Sequence, residues 1–147
     1  MLDKLLRLPG AHWALAFLTA RRAFVRGPSM SPTLAPGEYV LFDRLAYRRG
    51  PPRRGDVVLA TDPRESRRRI IKRIAGAPGE PVTAGGRTWR LGDGEWLLLG
   101  DAPEQSTDSR DFGPVGREGI LARAWFVYWP PNRMRRVRDH PPTVGQA

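Results

Sequence analysis

Residues 69–76 read RIIKRIAG, and this stretch is the best guide to the fold class of the chain. It is rich in the β-branched residue isoleucine and ends at a glycine, which is typical of a strand. Because successive side chains of a strand point to opposite faces, Ile70, Lys72 and Ile74 share one face. The stretch therefore predicts a strand that carries a lysine amine between two isoleucines.

Lys72 is unusual because the chain otherwise uses arginine for its positive charges, with 23 arginines and only one other lysine, Lys4. An arginine keeps its proton in a protein, whereas a buried lysine can lose it. If this strand face is buried, desolvation lowers the pKa of Lys72 and makes the amine a usable general base. If the face is exposed, Lys72 is an ordinary surface lysine, and the alternation of residues alone leaves both readings open.

Strand-like runs continue on both sides of this stretch, and clusters of proline and glycine separate them. Predicted strands cover residues 38–42, 56–60, 68–74, 95–99 and 120–129, and residues 81–91 form a predicted hairpin around Gly85-Gly86. Strong helical periodicity is absent after the N-terminus. We therefore expect a mainly β chain, with a compact barrel-like or sandwich β core and a short N-terminal helix.

The first 25 residues form a separate apolar segment, predicted to be helical. Its clean apolar run, residues 8–20, is shorter than the roughly 20 residues that cross a bilayer. Extending the run to residues 5–25 takes in Arg7, Arg21 and Arg22. The segment is a short membrane anchor, an interfacial helix or a helix packed on the domain. Its arginines on both sides do not favour placing the following domain outside the membrane.

Composition excludes several classes of site. The chain has no cysteine and two histidines, one near each end, so disulfides, thiolate or histidine-rich metal sites and a cysteine nucleophile are excluded. We predict no metal and no cofactor. The net charge of +10 permits contact with anions, but the arginines are scattered, so no specific nucleic-acid partner is expected. Residues 134–147 form a basic, proline-containing tail that we expect to be disordered.

Three motifs carry the possible chemistry. Residues 27–34 read GPSMSPTL, residues 69–79 read RIIKRIAGAPG, and a Gly-Asp pair at 100–101 precedes STDSRDFGP at 106–114. In this order they resemble the motifs of type I signal peptidases, from about Val25 to Gly113. Residues 125–133, WFVYWPPNR, also look like the last core strand of that family. The resemblance implies a catalytic domain over residues 26–133.

The resemblance implies a serine endopeptidase with a Ser-Lys catalytic dyad. The nucleophile is the serine before methionine, Ser29, and the general base is Lys72, while Ser31 falls at a variable position. Ser106 is expected to orient Lys72. Asp108 and Arg110 match the structural ion pair of the family.

The resemblance implies an oxyanion hole that includes the backbone N–H of Ser29. Some relatives add a hydroxyl two residues before the nucleophile, where this chain has Gly27, so the further donor here is backbone, water or another group. Family members cut after small residues, in an extended peptide that adds to a sheet edge. By matching position, Val25, Met30, Leu34 and Ile71 line the substrate pockets, and plain core packing is the alternative for them.

The resemblance also implies substrates, partners and location. Leader-bearing preproteins are the expected substrates, and the enzyme is expected at the membrane surface, with its catalytic domain on the extracytoplasmic face. The aromatic residues at 125–129 belong either to an interfacial belt or to the core. Two alternatives stay open: a maturation protease for a single partner protein, and a non-catalytic basic module that binds nucleic acid or anionic lipid.

Overall fold

The computed structural model describes residues 9–139 of the chain. The start of the predicted N-terminal segment, residues 1–8, and most of the predicted tail, residues 140–147, lie outside the described residues. Helices are α1 (Pro9–Thr19) and α2 (Ser109–Phe112), and strands are β1 (Arg21–Phe24), β2 (Tyr39–Asp43), β3 (Val57–Asp62), β4 (Glu65–Gly76), β5 (Pro81–Ala84), β6 (Arg87–Arg90), β7 (Glu95–Leu99), β8 (Val115–Gly116), β9 (Ile120–Trp129) and β10 (Arg135–Arg136).

Most strands belong to one antiparallel sheet in the order β1-β2-β9-β3-β4-β7-β8, with β10 added beside β9. The prediction of a mainly β fold with a short N-terminal helix is confirmed. Over residues 9–139 the path of the sheet is open, since β1 and β8 lie at its two ends.

The separate hairpin β5–β6 turns at Gly85 and Gly86, both with positive φ, as a two-residue hairpin turn requires. The predicted hairpin is thus present in the structure.

The central part of the sheet is buried on both faces, and strand β3 shows how. Val57 and Leu59 pack in one cluster with Met30, Leu34 and Phe42. Val58 and Ala60 alternate to the other face and pack in a second cluster with Ile70, Ile74, Trp96 and Leu98. The part of β4 that carries Lys72 therefore lies beside β3, between two apolar layers.

The first and the last described strands of the chain, β1 and β10, differ from the sequence prediction. The N-terminal helix ends at Thr19, and Arg21–Phe24 form strand β1 on the edge of β2, where residues 1–25 were expected to be helical. In the expected disordered tail, Arg135–Arg136 pair with β9. The sheet thus extends beyond both bounds of the predicted 26–133 domain, which itself stays a prediction.

Helix α1 is the longer of the two described α-helices, at 11 residues. Within residues 9–139, no helix has the length and apolar character of a membrane span.

Candidate active site

The loop that carries Ser29 follows β1 and is fixed by its own hydrogen bonds. Backbone N–H groups of Ser31 and Leu34 donate to the carbonyls of Pro28 and Met30, each over 2.9 Å. Met30 and Leu34 are fully buried and anchor the loop in the core. The carbonyl of Ser29 accepts a 2.9 Å hydrogen bond from the N–H of Ala102, so this loop is also tied to the chain after β7.

Lys72 lies on β4 opposite Val58 of β3, and it is buried, with 4% of its surface exposed. Ile70 and Ile74, the neighbours on its strand face, are buried as well. Burial is the main cause that lowers the pKa of Lys72, and the charge of Arg68 lowers it further, while the carboxylate of Asp108 opposes this shift. The sequence left open whether Lys72 is buried or on the surface, and in the structure it is buried.

The amine of Lys72 donates a 3.1 Å hydrogen bond to the hydroxyl of Ser106, which donates in turn to Asp108 over 2.8 Å. Asp108 is fully buried and receives three more donors: the guanidinium of Arg110 at 2.8 and 2.9 Å, and the backbone N–H groups of Gly100 and Arg110. Burial raises the pKa of Asp108, but these hydrogen bonds, that of Arg110 first, hold it below its usual range.

Asp108 is therefore ionised and accepts hydrogen bonds only. This fixes the direction of the chain of hydrogen bonds: the proton of Ser106 points to Asp108, and a lone pair of Ser106 faces Lys72. The same carboxylate caps α2, where it accepts from the Arg110 N–H in a capping box completed by Asp111. The sequence Asp-Ser-Arg-Asp thus builds a rigid support for the amine of Lys72.

Ser29 and Lys72 line one cleft of about 710 Å³, together with Val25, Met30 and Ile71. The fourth predicted pocket residue, Leu34, lies in the core cluster below and does not line the cleft. The Lys72 amine donates its hydrogen bond to Ser106. The hydroxyl of half-buried Ser29 makes no hydrogen bond with another described residue. Catalytic hydrogen bonds are often long without substrate and tighten when it binds.

A cluster that the sequence reasoning missed joins the three motifs. Fully buried Arg73, next to Lys72, donates to both oxygens of Asp101 over 2.8 Å and to the carbonyl of Gly55 over 2.7 Å. Thr33 of the Ser29 loop donates to Asp101 over 2.6 Å. The Gly-Asp pair at 100–101 was a visible motif, but its partner Arg73 could be found only through the fold.

A second cavity, of about 1240 Å³, lies between Trp13, Trp125 and Arg136 and contains neither Ser29 nor Lys72. Although it is larger, the described residues that line it include no nucleophile beside a buried base. The cleft with a hydroxyl and a lysine of lowered pKa is the better candidate for chemistry. A half-exposed serine and a buried amine in one cleft can perform acyl transfer.

Comparisons with known proteins agree with this chemistry. The family model described as "Signal peptidase, peptidase S26" matches residues 8–89 and 84–129. The chain is 35% identical over 128 residues to mitochondrial inner membrane protease subunit 2 of Danio rerio, covering 82% of this chain and 70% of the relative.

Two further relatives have similar coverage. Mitochondrial ATP-independent inner membrane protease subunit 1a of Arabidopsis thaliana is 38% identical over 124 residues, covering 78% of this chain and 73% of the relative. Signal peptidase I of Leptolyngbya laminosa is 31% identical over 153 residues, covering 83% of this chain and 75% of the relative.

Proposed function

Because this chain belongs to the signal peptidase family, peptidase S26, we propose that it is a serine endopeptidase that removes N-terminal leader segments with Ser29 as nucleophile and Lys72 as general base. Family membership supports protease activity as such, and it argues against a non-catalytic basic module. The assignment of the dyad and of the substrate is the proposal.

The proposed reaction begins with a neutral Lys72. Its amine takes the proton of the Ser29 hydroxyl while the oxygen attacks the scissile carbonyl. The backbone N–H of Ser29 stabilises the negative charge that develops on the carbonyl oxygen. When the peptide C–N bond breaks, the Lys72 ammonium gives the proton to the leaving amine, and a water activated by Lys72 then hydrolyses the ester on Ser29.

The burial of Lys72 is the observation that carries this proposal. A lysine in water is protonated at neutral pH and cannot act as a base, whereas desolvation favours the neutral amine. The hydrogen bond to Ser106, itself directed by Asp108, fixes where the amine points. Ser106, Asp108 and Arg110 therefore act as positioning residues.

The substrate is proposed to bind as an extended strand. One edge of β1 and the edge of β4 before residue 73 have no strand partner among the described residues, and both line the cleft beside Ser29. A peptide can add to such edges through backbone hydrogen bonds. Val25, Met30 and Ile71 then form shallow pockets for small side chains, while Leu34 supports them from the core.

Membrane association is supported by relatives named as inner membrane proteases. We place the catalytic domain on the extracytoplasmic face, where leaders emerge. The second candidate is a maturation protease for a single partner protein. A panel of generic leader peptides distinguishes the two, because a maturation protease leaves most of them uncut.

Intact-mass analysis of a leader peptide after incubation with the enzyme tests the proposed function. We expect wild type to give two fragments cut after a small residue, and Ser29→Ala and Lys72→Met to give none. Ser31→Ala, in the same loop, is the matched control and should cut. Thermal unfolding followed by circular dichroism must show that both inactive variants are folded. Cleavage by folded Lys72→Met would refute the dyad.

A further inference from the structure

The walls of the cleft around Ser29 carry a strong excess of positive charge. Five arginines line it, against a single carboxylate, that of Asp62. The arginines are Arg26, Arg64, Arg67, Arg68 and Arg69. Arg68 helps to lower the pKa of Lys72, but apolar pockets for small side chains need none of these charges.

The one carboxylate does not neutralise the cleft. Asp62 is buried and accepts hydrogen bonds from the guanidinium of Arg64 at 3.1 and 3.2 Å. The guanidinium of Arg68 forms a longer ion pair with the same carboxylate, at 3.9 Å. The guanidinium of Arg69 donates to the carbonyl of Ser66, which carries no charge. The charge of Asp62 is therefore matched by Arg64, and the remaining arginines are left in excess.

Two arginines on different segments of the cleft are the most informative. Arg26 follows β1 and Arg67 lies on β4, and both are exposed. Neither side chain forms a hydrogen bond, ion pair or ring contact with any residue within 9–139. Their charges are thus available to a ligand that lies between the two strand edges.

From this arrangement we infer that the enzyme selects leader peptides with acidic side chains close to the scissile bond. The inference rests on the proposed function and adds a charge preference to it. Arg67 to Arg69 lie three to five positions before Lys72 on β4, on the order of 10–17 Å along the strand. An extended peptide beside this strand places its acidic residues about three to five positions from the bond that is cut.

A peptide is favoured over an anionic lipid headgroup because the arginines border two open strand edges. Backbone groups on such edges bind an extended chain, and a lipid headgroup makes no use of them. Charged groups at the rim of a binding site contribute mainly to selection and to the rate of association. Their effect must weaken with salt, since exposed charges are screened within about 10 Å at 0.1 M.

The test compares three leader peptides of identical length. The first peptide carries glutamines at the third to fifth positions both before and after the scissile bond. The second has glutamates in place of the glutamines before the bond, and the third has glutamates in place of those after it. We expect one glutamate peptide to be cut with a kcat/KM about 3- to 10-fold above the glutamine peptide at low salt. The advantage should shrink in 0.5 M salt, fall below twofold in Arg26→Gln/Arg67→Gln, and persist in Arg54→Gln/Arg90→Gln, which removes two exposed charges outside the cleft.

Binding to folded Ser29→Ala, followed by fluorescence anisotropy, separates this inference from the proposed function. If wild type cuts no peptide but Ser29→Ala prefers glutamate, the function fails and the charge preference stands. Equal treatment of glutamate and glutamine peptides overturns the preference even when both are cut. The charge preference is also overturned if the advantage of the glutamate peptide survives in Arg26→Gln/Arg67→Gln. The same holds if this double variant loses only its binding to vesicles of anionic lipid.

Discussion

The amine of Lys72 and the hydroxyl of Ser106 are joined by a 3.1 Å hydrogen bond in which the amine is the donor. Ser106 cannot turn its proton toward Lys72, because ionised Asp108 already accepts it over 2.8 Å. One N–H of Lys72 is therefore held, and the lone pair of the neutral amine is left for another proton. This relationship connects a loop carboxylate to the base proposed to activate Ser29.

Replacing Ser106 by alanine should lower kcat by about 100-fold, since general-base catalysis is worth about 10²–10⁴. The amine of Lys72 loses the acceptor that holds it, while the substrate pockets are untouched, so KM should change little. Steady-state kinetics measure both constants. Ser106→Thr restores a hydroxyl and should recover part of the rate, and Ser66→Ala, on the exposed part of β4, should have no effect. An unchanged kcat in Ser106→Ala would show that Lys72 needs no such support.

Removing the charge of Arg68 should shift the pH dependence of cleavage. Burial is the main cause that lowers the pKa of Lys72, and the positive charge of Arg68 adds to it. Without that charge the ammonium form is less disfavoured, so the pKa rises and the neutral base forms at higher pH. In Arg68→Gln the acid limb of the kcat/KM profile should therefore move to higher pH, measured on an uncharged leader peptide. Arg54→Gln should leave the limb in place, and movement in the opposite direction would contradict Lys72 as the titrating base.

A methyl group at position 100 should lower the rate of cleavage by about 100-fold. A Cβ built on Gly100 lies only 2.7 Å from the carbonyl oxygen of Ser29 and also meets the side chain of Ser106. Gly100→Ala must push apart the two segments that hold the nucleophile and the base, and displacements near 1 Å can cost about 100-fold in rate. The control Gly50→Ala, where a Cβ has open space, should retain full activity. Peptide cleavage and thermal unfolding are measured for both, and a fully active Gly100→Ala enzyme would mean that this close approach is not needed.

The sequence predicts the central strands well because their side chains alternate in a regular way. Ile70, Lys72 and Ile74 are placed on one face by alternation alone, and all three are buried. Whether that face meets solvent could not be predicted, because burial depends on strands β3 and β7, which pair with β4.

Strands β1 and β10 were missed because long-range contacts, not local preference, make these segments strands. β1 contains Arg21 and Arg22 and follows an apolar helix, so nothing local indicates a strand. β10 is two arginines long, and Arg135 is held by Glu38, 97 positions away, at 2.8 and 2.9 Å. Burial raises the pKa of Glu38, but Arg135 and the N–H of Ala35 hold it below its usual range, so this ion pair is present at neutral pH.

The ion pair between Arg73 and Asp101 should be the most costly to break of the charged contacts near the site. Arg73 is fully buried and Asp101 is 11% exposed, so Asp101→Ala leaves a buried guanidinium without its carboxylate. The free energy of unfolding should fall by about 3–5 kcal/mol, measured by urea denaturation. The double variant Arg73→Met/Asp101→Ala should lose less free energy of unfolding than Asp101→Ala alone, because the buried charge of Arg73 is removed as well. Asp139→Ala, which removes the exposed partner of Arg123, should cost under about 1 kcal/mol. If Asp101→Ala costs no more than this control, Arg73 does not depend on Asp101, and the cluster does not hold the Ser29 loop against β4.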